Sequence, residues 1–334
     1  MGPDQDAYVI WDESVIEKPE SVKLEGLCAV RSSKARRLKR IKPGFYNPPG
    51  GRPVFVPGMN WLQILLTGLK GAPYLANLRF WSTRGEGASD KRAQEQEVLS
   101  QLAQHWGKWV IHVWDRGFAG SPWASHALKQ GVFFILRWQK NYKLQGPKGE
   151  QKAWQITRGK RSWDHRLIYD YKRCCERKTG VVAVPVSLAD YPNHPLWLVV
   201  SRPGQGRVPW YLLTNLPVTS PDDAWRIVLG YNRRWQVEMS IRFDKAELAF
   251  ECPRLFKRDN REKLIGIAAL AYAFLLSLIL PGSQPTRNYL LRFWCHRTGK
   301  RSRNVPAPLY RLRLALSLLW LAYRPPALPR LILG

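Results

Sequence analysis

The sequence predicts an α/β fold, and three observations carry that prediction. Strands alternate with helices over its first part, a run of short strands fills residues 140–218, and helices follow from Ser220 onward. With 334 residues and 45% hydrophobic content, the chain can bury one large core and carry an inserted subdomain.

Residues 7–12 (AYVIWD) read as a β-branched and aromatic strand that Asp12 closes, with Tyr8, Ile10 and Asp12 on one face by period two. Pro48-Pro49-Gly50-Gly51 marks a loop within the basic stretch 26–58. Residues 59–67 and 73–82 read as two further strands, joined through Gly68 to Gly71. A helix follows over 89–105, with Ser89 as N-cap and Val98, Leu99 and Leu102 as its apolar face. WVIHVWDRG (109–117) is a buried strand ending at Asp115; a short helix over 121–129 and a strand over 131–139 complete this part.

Within 140–218, the segments KAWQITR, HRLIYDY, GVVAVPVSL, PLWLVVS and PWYLLTN read as strands separated by Gly, Pro, Asn and Asp, a β-rich insertion in the α/β domain. Ser220-Pro221-Asp222-Asp223 then combines an N-cap, a first-turn proline and acids that suit a helix start. Helices are predicted to about residue 250 and over 260–280, 286–298 and 308–322. The boundaries expected are therefore 1–139, 140–218, 219–282 and a basic helical region 283–334. The apolar run 264–280 reads as a buried core helix rather than a membrane span, because RDNREK precedes it and Pro281-Gly282 ends it.

Charge points to the partner. Lys and Arg number 53 against 25 Asp and Glu, a net charge of +28 that self-repels unless a polyanion neutralises it. Nucleic acid supplies that neutralisation through counterion release; the alternative readings are a merely soluble, supercharged surface or a basic protein on anionic lipid. No acid occurs between Gly26 and Gly85, a stretch with eleven Lys or Arg that includes Arg36, Arg37, Lys39 and Arg40. The stretch 137–178 adds thirteen basic residues against four acids, and these two regions are the predicted DNA tracks. Five cysteines without a CxxC pair argue against a structural zinc site or a disulfide framework. The acidic N-terminus has no apolar core, so it is not read as a signal peptide, and a cytosolic setting is expected.

Few carboxylates survive in so basic a chain. Asp115 is the only acid in residues 98–149 and ends an apolar strand, where α/β sheets place ligand-binding groups. Its alternative reading is a turn aspartate, as a surface turn acid is for Asp12. Tyr231, Arg234, Glu238, Arg242 and Lys245 are offset by 0, 3, 7, 11 and 14 residues. On one continuous helix they would fall within an arc of roughly 80°. That pattern suits either a functional face or a solvated face laced with ion pairs. On helix geometry alone Asp244, Glu247 or Glu251 could replace Glu238.

These residues together resemble a family. Tyr231, Arg234, Glu238 and Lys245 match the Y-(2)-R-(3)-E-(6)-K signature of the IS4-type (Tn5-like) DDE transposases, and IWDESVIEKPES and VWDRGF resemble that family's first and second aspartate segments. The resemblance implies a ribonuclease H-like catalytic domain with a β-rich insertion before the helix that bears the third carboxylate. It implies Asp12, Asp115 and Glu238 as a triad holding two Mg²⁺ or Mn²⁺ ions for DNA cleavage and strand transfer. It further implies Tyr231, Arg234, Arg242 and Lys245 as phosphate grips and Trp210 as a platform for a flipped base. The alternative for Trp210 is a strand core residue. Double-stranded DNA at transposon ends and target, a dimer active on DNA, and a bacterial nucleoid-associated setting complete the expectation. Only eleven residues precede Asp12, so the chain is expected to lack the family's N-terminal DNA-binding domain. A non-catalytic DNA-binding regulator and a different ribonuclease H-like nuclease are the competing classes.

Overall fold

The computed structural model describes residues 6–21, 23–32, 54–170, 175–204, 207–295 and 308–323. The basic cluster Arg36, Arg37, Lys39 and Arg40 lies outside the described residues.

One mixed sheet organises the chain. Its strands are β1 (Ala7–Glu17), β2 (Cys28–Arg31), β3 (Phe55–Thr67), β4 (Tyr74–Trp81), β5 (Val110–Trp114), β6 (Phe133–Trp138), β7 (Lys143–Gly146), β8 (Gly149–Lys152), β9 (Asp164–Asp170), β10 (Cys175–Leu188), β11 (Tyr191–Arg202) and β12 (Trp210–Thr214). They run in the order β2-β3-β1-β5-β6-β12-β11-β10-β7-β8, with β4 on β3 and β9 on β10. Strands β1, β3 and β4 form an antiparallel meander, whereas β5 joins β1 in parallel and β6 joins β5 in parallel. Strands β10 to β12 continue the same sheet from the edge of β6 by antiparallel pairing.

The helices are α1 (Lys91–Trp106), α2 (Ser121–Lys129), the single turn α3 (Ala153–Ile156), α4 (Pro221–Asn232), α5 (Trp235–Ala246), α6 (Arg258–Ser277), α7 (Gln284–Phe293) and α8 (Leu309–Ala322). Alternation along β1 sends side chains to both faces of the sheet. Val9 and Trp11 pack with Val98 and Leu99 of α1 and Trp123 and Ala124 of α2. Tyr8 and Ile10 pack on the opposite face with Trp225 and Val228 of α4, Val237 and Ile241 of α5, and Ile265 of α6. The result is a sheet buried between two helical layers, with a smaller core shared by α6, α7 and α8.

Several expectations change. Asp12 lies inside β1 rather than at its end, because antiparallel pairing with β3 carries β1 on to Glu17. The N-cap of α1 is Asp90, whose carboxylate accepts the Ala93 N–H at 2.9 Å, and not Ser89. KAWQITR holds the helical turn α3 instead of a strand. Helix α6 is buried on one side only: Ile265, Ala269, Tyr272, Leu275 and Leu276 face the core, while Leu264, Ile267, Leu270 and Phe274 are exposed. Among the described residues no single helix is long and apolar enough to cross a membrane; Arg258–Ser277 and Pro281–Phe293 pass that test only as a pair bent by 84°.

The predicted helix running to residue 250 is two helices. Ser220 caps α4 through a capping box with Asp223, as the sequence indicates. The chain then turns at Arg233 and Arg234 before α5 begins. The Arg233 guanidinium reaches across to Thr67 Oγ1 at 2.8 Å and to the Gly71 carbonyl, contacts available only in the folded protein.

Candidate active site

Strand pairing brings two aspartates together. The parallel register sets Ile10 beside Val113. Carried two residues further, it sets Asp12 at the level of Asp115, just past the end of β5. Asp12 shares the face of Tyr8 and Ile10 and so points to the layer of α4 and α5. The Glu13 N–H donates to Asp12 Oδ1 at 2.9 Å. Asp115 caps the single turn Arg116–Phe118 and accepts the Gly117 N–H.

Helix α5 brings the third carboxylate. Val237, Ser240, Ile241 and Asp244 form its buried stripe, which leaves Glu238 about a third exposed beside the aspartates. Arg234, at the start of α5, lies between the carboxylates: its Nη1 is 3.9 Å from Asp12 Oδ2, and its Nη2 pairs with Glu238 Oε1.

The groups lie close enough to act on one another's charge. Burial pushes the Asp12 carboxyl up to about 7; Arg234 opposes that rise, and Asp115 and Glu238 add to it. Burial works against the charge of Arg234, yet Tyr231, Glu238 and Asp12 together hold the guanidinium protonated beyond its ordinary range. The three carboxylates are neighbours without forming a closed cage. Among the described residues no group of three His, Cys, Asp or Glu is gathered tightly enough to hold a metal ion. With Arg234 between them, two of the three carboxylates are turned to a guanidinium instead.

The remaining predicted residues separate into two places. Tyr231 lies in the last turn of α4, so it does not share a helix face with Glu238, Arg242 and Lys245 as a continuous helix would require. It is buried, which pushes its phenol up, with Arg234 and Arg137 countering that shift. Its ring meets Trp210 edge-on, the centroids 5.1 Å apart, and Arg234 lies 5.9 Å from its centroid. These residues wall a cavity of about 390 Å³ together with Arg137, Tyr169 and Trp235. Trp210 is only partly buried, and its strand β12 borders this cavity. Arg242 is exposed on α5, and Lys245 lies 3.7 Å from Glu251.

The alternative third carboxylates are engaged elsewhere. Asp244 is buried against Gln63, Glu247 pairs with Arg313 at 2.9 Å, and Glu251 lies by Lys245. The sequence counts Arg137 only among the thirteen basic residues of 137–178; its place in the cavity depends on β6 pairing with β12, where it lies opposite Leu212.

Two similarities to known proteins are found. A cryo-EM structure of the piggyBac transposase synaptic complex with hairpin DNA is similar at 14% identity and a TM-score of 0.44, over 97% of this chain and 55% of that one. The chain thus spans about half the length of that relative. The family model of the transposase DDE domain matches residues 62–274, a span that contains Asp115 and Glu238 and begins after Asp12. That match covers more than half of the sequence, and the chain belongs to the transposase DDE domain family.

Proposed function

We propose that this chain is the catalytic core of an IS4-type DNA transposase that cleaves and joins DNA strands with Asp12, Asp115 and Glu238. The observation that carries the reading is the meeting of three distant segments just past the end of β5: the β1–β5 register, carried on two residues, levels Asp12 with Asp115, and α5 brings Glu238 beside them. The strand order β4-β3-β1-β5-β6, an antiparallel meander followed by two parallel strands, supports a ribonuclease H-like core over 1–139 and 219–282. Residues 140–218 then act as an insertion that extends its sheet, and 283–334 as a helical appendage.

By its oxygen chemistry the donor set suits Mg²⁺ or Mn²⁺, once Arg234 leaves the carboxylates and they draw closer together. Three carboxylates offer hard oxygen ligands, and cations would relieve the repulsion that Asp115 and Glu238 impose on Asp12. Two ions held by Asp12, Asp115 and Glu238 would supply activation of a water or 3′-hydroxyl and charge neutralisation at the leaving oxygen. The protein's own groups do the rest. Arg234 neutralises the carboxylates in the structure described here and, released from them, presents a planar fork to a phosphate. Arg242 and Lys245 add positive charge along α5. Trp210, only partly buried, offers aromatic surface to an extruded base in the adjoining cavity, with the buried Tyr231 backing it edge-on. Duplex DNA at element ends and target, and a dimer on that DNA, belong to the same proposal.

The capture of Arg234 by Asp12 and Glu238 favours a second reading, a DNA-binding regulator with a silent site. Thermal unfolding in a Mn²⁺ titration separates the two. The catalytic reading expects saturable stabilisation that Asp12→Asn, Asp115→Asn and Glu238→Gln each reduce; no stabilisation of the parent protein favours the silent site.

A further inference from the structure

A buried polar knot fastens the strand opposite Asp12 to the helix that bears Glu238. Gln63 is the cross-strand partner of Asp12 in the β1–β3 register. Between Trp61 and Leu65, which enter the core of the helical layer, it occupies a position that alternation reserves for an apolar side chain. Its Nε2 donates to Ser240 Oγ at 2.7 Å and to Asp244 Oδ2 at 2.8 Å. Ser240 and Asp244 likewise take two of the four buried positions on α5. All three residues are 1% exposed. Tyr272 of α6 faces Ser240 and Asp244 from the neighbouring helix.

We propose that Gln63 and Asp244 are positioning residues for strand cleavage, pairing across the sheet–helix interface to set Glu238 against Asp12. The inference rests on the reading of Asp12 and Glu238 as the reacting carboxylates. Burying an amide and a carboxyl without partners costs several kcal/mol, so their pairing specifies one seating of α5 on the sheet. Gln63 Oε1 and Asp244 Oδ1 have no partner among the described residues. A proton on Asp244 Oδ1, donated to Gln63 Oε1, would close a two-bond acid–amide ring. Burial, opposed by the Gln63 hydrogen bond, pushes the Asp244 carboxyl up to about 7, which favours that proton; Tyr272 is the titratable group facing it.

The test compares wild type with Gln63→Leu, Asp244→Leu, Asp244→Asn and the exchanged pair Gln63→Glu/Asp244→Asn. Nicking of supercoiled DNA is followed against pH and Mn²⁺ concentration at saturating DNA, and amide hydrogen exchange of residues 235–246 without DNA or metal. Gln63→Leu and Asp244→Leu are expected to slow nicking on the order of 10- to 100-fold and raise the Mn²⁺ requirement. Their α5 amides exchange faster. Asp244→Asn, which keeps a neutral two-bond partner, retains the rate and loses the wild-type decline above about pH 7. The exchanged pair recovers activity. Wild-type rate and Mn²⁺ requirement in both leucine variants overturn the proposal, as does a slowed rate that the exchanged pair leaves unrestored. If wild type itself nicks nothing, the catalytic reading fails. Unchanged α5 exchange in Asp244→Leu then overturns the positioning role independently.

Discussion

Arg234 and Asp12 face each other at 3.9 Å, and the same guanidinium also pairs with Glu238 four residues along α5. One cation thus compensates two carboxylates brought together from the first strand and a helix more than 220 residues later. Removing it leaves partly buried negative charge without a partner. Arg234→Gln is expected to cost about 1–3 kcal/mol of stability in chelator. Mn²⁺ should stabilise this variant more than wild type, because a cation then meets uncompensated carboxylates. Equal Mn²⁺ shifts in both proteins would show that Arg234 does not occupy the cation's place.

The packing of α4 on β1 has a tight point at Gly230. A Cβ there would lie 2.3 Å from Tyr8 Cε1 and 2.8 Å from Cζ, and Tyr8 is fully buried. Gly230→Ala should therefore destabilise the fold by roughly 1–3 kcal/mol, although alanine is the better helix former. Denaturant unfolding reads the effect directly, and a stabilised variant would mean that Tyr8 moves aside freely.

How far the sequence disclosed this fold depends on where its signals are local. The central strands are continuous apolar runs bounded by turn residues, and the capping box at Ser220 fixes the start of α4. The break at Arg233 and Arg234 leaves no such mark: YNRRW holds neither Gly nor Pro, and the turn is stabilised by Arg233 reaching Thr67 and Gly71. Helix α3 was hidden by an alternating pattern in KAWQITR. Asp115 stands out as an isolated acid at a strand end, whereas Asp12, beside Glu13, and Glu238, with Asp244, Glu247 and Glu251 near it, are singled out only by the motifs they lie in. The pairing of Gln63 with Asp244 was not, because it joins residues 181 positions apart.

His112 supplies a prediction for acid stability. Burial pulls its imidazole down to about 3, and its Nδ1 accepts the Trp11 Nε1–H at 3.1 Å. The unfolded chain binds this proton near the ordinary value of 6.5, so the folded state loses stability as pH falls from there towards about 3. The slope is on the order of 1.4 kcal/mol per pH unit at most. His112→Phe should cost about 1–2 kcal/mol near neutrality for the lost acceptor, yet flatten that acid slope. Parallel pH–stability curves for the two proteins would contradict the neutral, buried imidazole.

Arg242 is the exposed cation on α5 and tests the DNA path along that helix. If it meets a phosphate, Arg242→Ala should lower the slope of log K against log salt by about one and weaken binding similarly across sequences. Fluorescence anisotropy over a salt series measures this. An unchanged slope places the DNA elsewhere.

The central claim is that Asp12, Asp115 and Glu238 act together to cut DNA, and relaxation of a supercoiled plasmid tests it most directly. Wild type, Asp12→Ala, Asp115→Ala and Glu238→Ala would be compared in Mg²⁺, Mn²⁺ and chelator. The account predicts metal-dependent nicking by wild type alone, with DNA binding retained by all four proteins. Equal nicking by wild type and the three variants, or nicking that persists in chelator, would contradict it.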